Sequence, residues 1–323
     1  MMRKRPNAIP NRSSFCSHRI HPQRSRILIS ALAALAVVLA FRGLSATESP
    51  PTSEETANSR PEISWFCDYA TAMKEAEARH CMLLVWFQNP AHAQADAAFE
   101  QRVLSDSGIH QQIAKTVAVR VPLDACIQVR GKDVKLIEHP AFAEMLGTAG
   151  LAMLDLTDAG SPQHRRVTAV YPFLRKYISE NQLAVLLELP AGSLTQRMLI
   201  FAVRTHPEGP ASASSQASPL LFAETASHST HQANILLQGH HQWDSRFQSI
   251  NARLPAGLVA TEVCAESWPG QTLVAAAEEC VHSWRQSPGH WNSVRERHAL
   301  FGYDMKRGVN GIWYATGIFA RRF

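Results

Sequence analysis

The chain has 323 residues, of which 46% are hydrophobic and 18% charged; this excludes a largely disordered protein and allows two ordinary domains. The formal net charge of +5 arises at the N-terminus, because residues 1–46 hold eight Lys and Arg and no acidic residue. Removing those eight from the 32 basic residues leaves 24 against 27 acids, so the body is mildly acidic and offers no electrostatic case for nucleic-acid binding.

The first 46 residues have the pattern of a secretory signal. A basic region ends at Arg26, residues 27–41 are apolar, and small residues follow at 43–46. The apolar run has 15 residues, fewer than the ~20 that usually span a bilayer, yet an uncleaved N-terminal anchor stays open. We therefore expect a secreted or periplasmic body, either free or held at the inner membrane by residues 27–41.

Residues 47–60 are polar and contain prolines, which predicts a linker. From Ile63 the pattern becomes globular, with a continuous apolar run at 82–87 that is typical of a buried strand. Helices are predicted at 68–80, 93–104, 106–115, 141–146 and 180–187, and strands at 82–87, 116–122, 151–156 and 166–171.

This succession of elements resembles the thioredoxin fold over residues 61–205. In thioredoxin-like proteins the redox CxxC follows the strand that matches 82–87. Here residues 88–93 read Gln-Asn-Pro-Ala-His-Ala without cysteine, and residues 148–151 lack the cis-proline of that family. The resemblance therefore implies a non-redox thioredoxin-like module.

Residues 206–219 are rich in Pro, Ser and Ala and predict a second linker, after an apolar run at 198–204 that is compatible with a strand or a short helix. Beyond the linker a long helix is expected from about Leu220 to the Gly-His-His at 239–241. A second helix begins at Thr272 and ends at the Ser-Pro-Gly-His of residues 287–290. Residues 300–305 and 312–319 predict a hairpin with an Asn-Gly turn.

Residues 220–323 resemble the bacterial branch of the CAP superfamily, also called SCP domains. The resemblance rests on a helix ending at Trp284, the Ser-Pro-Gly-His motif, and the strand Gly-Ile-Trp-Tyr-Ala-Thr-Gly-Ile-Phe-Ala at 311–320. It implies an α-β-α sandwich, so that the whole chain combines α/β and α+β architecture. Taken by itself, the Ser-Pro-Gly-His stretch favours the simpler interpretation that His290 is a half-exposed loop histidine packed beside Trp291.

The CAP resemblance also implies a His/Glu cleft. The matching residues are His240, with His241 as the alternative, Glu262 and His290. Ser287 stands where some family members carry a second glutamate. Two neutral imidazoles and one carboxylate can hold a divalent metal such as zinc, with His240 and His290 as the metal ligands. The same groups can also simply hydrogen-bond one another.

No CxxC occurs anywhere in the chain, which argues against a zinc ribbon and a redox pair. Export permits disulfides, and Cys264 with Cys280 is the first pair to test, the alternative being two small buried apolar residues.

No motif supplies an evident nucleophile, and no catalytic residue is assigned. We expect an exported binding or scaffold protein for a peptide, protein or cell-envelope ligand, touching the membrane only through its N-terminal segment. The alternatives are a metal-assisted hydrolase using His240, Glu262 and His290, and a redox protein, which the missing CxxC disfavours.

Overall fold

A computed structural model describes residues 63–322 of the chain. The predicted signal at 1–46 and the linker at 47–60 lie outside the described residues. Within 63–322, none of the helices has the length and apolarity that crossing a bilayer requires. The described part is a mixed α/β structure with open sheets, which confirms the predicted class at that level.

The first half of the described chain builds a five-stranded sheet. Its helices are α1 (Tyr69–Ala78), α2 (Ala93–Phe99), α3 (Ser107–Ile113) and α4 (Glu180–Leu187), and its strands are β1 (Trp65–Phe66), β2 (Leu83–Gln88), β3 (Val117–Pro122), β6 (Gly150–Leu154) and β7 (Val167–Pro172), with a separate hairpin of β4 (Cys126–Val129) and β5 (Lys132–Lys135). The sheet order is β1-β3-β2-β6-β7. The strands β1, β3 and β2 are parallel to one another. The strand β6 pairs antiparallel with β2, and β7 pairs antiparallel with β6.

The second half builds a four-stranded sheet. Its strands are β8 (Gln216–Ala217), β9 (Leu258–Glu266), β10 (Leu300–Arg307) and β11 (Trp313–Arg322), and its helices are α6 (Pro219–Ile235), α7 (Trp243–Asn251), α8 (Leu273–Gln286) and α9 (Pro288–Arg295). The sheet order is β8-β10-β11-β9. The strands β10, β11 and β9 are antiparallel, and β9 ends the sheet. The predicted hairpin forms with Gly311 at φ 77°, a backbone conformation that favours glycine.

Helices cover both faces of this second sheet. On one face, Ser229 and Gln232 of α6 donate hydrogen bonds to the Thr316 hydroxyl of β11 at 3.0 and 2.9 Å. On the other, Trp284 of α8 packs against Tyr303 of β10. Side chains alternate between the two faces of a strand, so the residues directly before and after Thr316 on β11 face α8.

One helix connects the two sheets. The apolar run at 198–204, left open between strand and helix, belongs to α5 (Leu194–Arg204). This helix packs against β7 of the first sheet and against β10 and α8 of the second. Its residues 197–203 are buried, and one hydrophobic core includes side chains from both sheets.

The segment predicted as a linker at 206–219 is packed against the rest of the molecule. Ser212 and Ala213 are buried, and the Ser212 hydroxyl lies 2.7 Å from the Tyr303 hydroxyl. Residues Gln216–Ala217 form β8, which pairs with β10. This packed segment therefore carries the chain from α5 to the second sheet.

The predicted start and end of the helix after Thr272 are confirmed, since α8 runs from Leu273 to Gln286, but two other predictions were wrong. The helix from residue 220 ends at Ile235, where Leu236 adopts left-handed φ 56°, so residues 237–242 form a loop rather than more helix. The Ser-Pro-Gly-His stretch is a junction between α8 and α9 rather than a loop. Pro288 occupies the first turn of α9, a position where its missing N–H costs nothing, so the residue that ends one helix begins the next.

Candidate functional site

The carboxylate of the site projects from β9, the last strand of the second sheet. Glu262 pairs with Ile318 and Cys264 with Thr316, so both side chains lie on the face covered by α6. The Glu262 side chain is only 1% exposed. A buried carboxylate requires charged or hydrogen-bonding partners, and three other elements supply them.

His240 comes from the loop between α6 and α7. The Gly239 N–H donates to Gln232 Oε1 at 3.0 Å, and His228 Nε2 donates to the Gly239 carbonyl at 2.9 Å. These two contacts fix the loop against α6 immediately before His240. The His240 side chain is 41% exposed, so the imidazole lies between the buried carboxylate and solvent.

His290 lies in the first turn of α9, and its position is fixed by the junction with α8. Trp284 near the end of α8 and Trp291 in α9 are both buried on either side of the Ser-Pro-Gly turn. His290 itself is partly exposed. Two anchored tryptophans therefore hold a histidine whose ring remains accessible.

The three residues predicted for the cleft converge. His240 Nδ1 lies 3.0 Å from Glu262 Oε1, and His240 Nε2 lies 3.4 Å from His290 Nε2. A neutral His240 that donates its Nδ1–H to Glu262 keeps an Nε2 lone pair facing His290. The arrangement is a chain of carboxylate, imidazole and imidazole that runs from the interior to the surface.

Of the two adjacent histidines, the structure selects His240. His241 Nε2 points at the Leu237 carbonyl at 3.2 Å, away from Glu262. The His241 ring lies instead beside His231 and His228, with ring centroids 5.5 and 6.1 Å away.

Arg246 is the partner that the sequence pattern did not reveal. Its Nη2 donates to Glu262 Oε2, and its Nη1 donates to the His241 carbonyl at 3.4 Å. The residue lies in α7. The apolar spacing at Trp243, Phe247 and Ile250 predicts a packed helix face and says nothing about the role of Arg246. A physical argument could have identified Arg246. A buried carboxylate such as Glu262 needs a cationic partner, and α7, the helix after the His240 loop, carries an arginine.

The pKa shifts follow from burial and these contacts. Burial raises the pKa of Glu262, but hydrogen bonds from His240 and Arg246 outweigh it, so the net pKa is lowered and the carboxylate is ionised. Burial, aided by the nearby His240, lowers the pKa of His290. Burial also lowers the pKa of His228 to about 4, so this ring is neutral at physiological pH.

A second group of metal-ligand types lies beneath the cleft. One donor atom each from His228, Glu262 and Cys264 lies within 4.8 Å of the others. However, Glu262 already accepts from His240 and Arg246, and burial raises the pKa of the Cys264 thiol so that it stays protonated. This buried group is therefore organised as a hydrogen-bonded support, and the outward-facing Nε2 atoms are the donors open to a ligand.

The disulfide considered from the sequence does not form. Cys264 and Cys280 are both free thiols, and both are buried, as the alternative expects. Cys264 Sγ lies 3.8 Å from His240 Nδ1, while Cys280 lies in the apolar core on α8. Ser287 is the residue between α8 and α9 and offers no carboxylate to the cleft.

No protein-family model matches the chain, and no curated protein matches it. Among solved structures, it is similar to an outer surface protein from Borrelia burgdorferi, with 15% identity and a TM-score of 0.28. That similarity covers 34% of this chain and 78% of the other. A similarity this low identifies neither the fold nor the function of the chain.

Proposed function

We propose that the chain is an exported, non-enzymatic binding protein that holds a divalent cation between His240 and His290 in a CAP-like cleft. The observation that carries the proposal is the 3.4 Å separation of the two Nε2 atoms. Nitrogen ligands about 2.0–2.1 Å from a tetrahedral zinc lie roughly 3.3–3.4 Å apart, so the pair matches the spacing of two ligands of one ion.

The surroundings of the pair support a metal-binding role. A ligating histidine normally donates its second ring N–H to a carboxylate, which fixes the tautomer, and Glu262 stands in that position toward His240. Two protein ligands leave the remaining coordination positions of a zinc-like ion to water or to oxygen donors of a bound partner. Weak, exchangeable binding is expected from so small a ligand set.

The geometry favours binding over metal-assisted hydrolysis. A hydrolase acting through His240, Glu262 and His290 would need the glutamate as a ligand or general base. Both Glu262 oxygens are already engaged by His240 and Arg246, and its side chain is 1% exposed. Glu262 is thus placed to orient His240 rather than to act on a substrate.

The first half is proposed as a thioredoxin-like module without redox chemistry. The observed elements follow the expected succession with three differences. The strand β1 and the hairpin of β4 and β5 were not predicted, and the helix predicted at 141–146 is a 3₁₀ helix, Pro140–Met145. The sheet of this half contains three parallel strands, followed in the sheet order by β6 and β7, each antiparallel to the strand before it. The second half is proposed as an α-β-α sandwich, supported by α6 and α8 on opposite faces of its sheet. Export rests on the signal-like N-terminus, and the partner proposed is a peptide, protein or envelope component.

The test is calorimetric titration of chelator-treated full-length protein with zinc. We expect binding that is lost in His240→Ala and His290→Ala and retained in His231→Ala, whose ring lies outside the pair. Because all of these variants keep the other histidines of the chain, the comparison also corrects for any zinc that binds outside the cleft. Equal binding by the His290→Ala protein would contradict the proposal. Zinc-dependent peptide or ester hydrolysis lost in the same variants would favour the hydrolase alternative.

A further inference from the structure

The exposed apolar side chains of this protein are not scattered. Among residues 63–322, seven large hydrophobic side chains are exposed. Six of them lie in five connections between elements, and the seventh, Ile235, is the last residue of α6. The seven are Leu146, Leu174, Ile235, Leu236, Leu237, Trp268 and Val309. Val309 is 96% exposed and Trp268 66%. Single exposed apolar residues are ordinary, but their concentration in one region points to a function.

Three of these connections meet at one end of the second sheet. Trp268 follows β9, Val309 lies in the turn between β10 and β11, and Leu236 follows α6. Glu266 at the end of β9 pairs with Tyr314 at the start of β11, so both strand ends lie beside the turn. The loop after Trp268 is joined to this turn by a 3.1 Å hydrogen bond from Gly270 N to the Gly311 carbonyl.

The α6 connection packs against the same turn. A Cβ added to Gly308 would lie 2.9 Å from Leu236 Cδ2, so the leucine already fills the space beside the turn backbone. Leu237 comes next in the chain and is 57% exposed. The end of α6 and the turn therefore lie side by side at this end of the second sheet.

The two connections from the first half adjoin this end of the second sheet. Residues 174–176 line a shared groove with residues 270–272. The Glu144 carboxylate, two residues before Leu146, accepts from the Leu273 N–H and faces Arg307. We call the five connections together the apolar rim.

Basic residues stand directly beside the apolar tips. Arg175 and Lys176 are exposed and follow Leu174, and Arg307 is exposed two residues before Val309. The acids nearby are Glu266 and Glu278, which are exposed, and Glu144, which is partly withdrawn from solvent. Glu278 lies close enough to Lys176 for the two charges to interact. Lys306 is already paired with the buried Asp304 at 2.8 Å, so it adds little.

We propose that the apolar rim docks on an anionic lipid bilayer. Trp268 and Val309 enter the headgroup region, and Arg175, Lys176 and Arg307 face lipid phosphates. The apolar side chains stand on separate loop tips with basic neighbours, which suits shallow insertion. A protein partner would more often meet a contiguous apolar core surrounded by a polar rim. This contact is additional to the one expected from residues 27–41.

The N-terminal segment contains no tryptophan, which gives a clean probe in the full-length chain. All seven tryptophans lie between positions 65 and 313, so quenching of their emission by brominated acyl chains reports on the folded body and not on the anchor. The experiment uses vesicles of brominated phosphatidylcholine with and without phosphatidylglycerol.

We expect quenching that requires phosphatidylglycerol and disappears in Trp268→Phe. Val309→Asp should weaken it about tenfold at matched lipid, because the side chain that would be buried becomes charged. Ala256→Asp is the matched control: it adds the same charge at an exposed position before β9, at the opposite end of the strand, and should leave the quenching unchanged.

Three results would overturn the proposal. The first is no quenching, and the second is quenching that persists in Trp268→Phe. The third is self-association in the absence of lipid that Val309→Asp abolishes, since the rim would then bind a second copy of the chain.

Discussion

Glu262 Oε1 accepts a 3.0 Å hydrogen bond from His240 Nδ1, and its Oε2 accepts a hydrogen bond from Arg246. A side chain so fully engaged acts through its neighbour rather than on a ligand. We expect Glu262→Gln to lower zinc affinity about 10- to 100-fold while His240 and His290 remain in place. Glu266→Gln, an exposed change on the same strand, is the control. Unchanged affinity in Glu262→Gln would show that the carboxylate does not orient the ligand.

His228 predicts the acid side of the stability profile. Burial lowers its pKa from the ordinary 6.5 to about 4, so the unfolded chain binds this proton more readily than the folded one. Stability should therefore fall as pH decreases from about 6.5 to about 4, by roughly 3 kcal/mol from this residue. We expect the free energy of unfolding in urea to fall less steeply with decreasing pH for His228→Gln than for the parent protein. Equal slopes would mean that folding does not lower the pKa of His228.

Gly302 permits a close approach of α6 to the second sheet. A Cβ at this position would lie 2.4 Å from the carbonyl carbon of Leu221, and backbone does not yield as a flexible side chain does. Gly302→Ala should lower the free energy of unfolding by about 1–3 kcal/mol. Gly289→Ala, which meets nothing within 4 Å, should be neutral or slightly stabilising in α9. Denaturant midpoints of the two variants make the comparison, and similar midpoints would be unexpected.

The first half should have no thiol–disulfide exchange activity. The segment after β2 carries no cysteine, and the free exposed thiols among the described residues are Cys67 and Cys126, outside that segment. Insulin reduction by dithiothreitol should proceed at the uncatalysed rate with the parent protein and with a Cys67→Ser, Cys126→Ser variant alike. A faster rate in the parent that the double variant loses would restore the redox interpretation.

Periodicity located six strands, because local patterns determine them: β2, β3, β6, β7, β10 and β11. It did not predict β1, the hairpin of β4 and β5, β8 or β9. The alternation after Gly311 and the apolar run of β2 were both sufficient for this purpose. The junction at Pro288 was not, since proline after a helix is equally suited to starting the next one. The apolar periodicity ends with α8, so it does not indicate whether Pro288 only ends that helix or also begins another.

The site was predicted in its main residues but not in its support. Ser-Pro-Gly-His and the glutamate of β9 pointed to the cleft. The selection of His240 over His241 depends on contacts of Gly239 with α6, and the ionisation of Glu262 depends on Arg246. Such contacts join positions distant in the chain, and no local spacing encodes them.

The helix α5 determines how this protein can be divided. Residues 197–203 are buried between the two sheets, so neither half presents a finished surface once the other is removed. A fragment cut at residues 206–219 would keep the whole predicted CAP-like half, yet α8 and β10 would expose the apolar surface that α5 covers. Any dissection of the two proposed binding functions should therefore replace side chains in the intact chain and leave its halves joined.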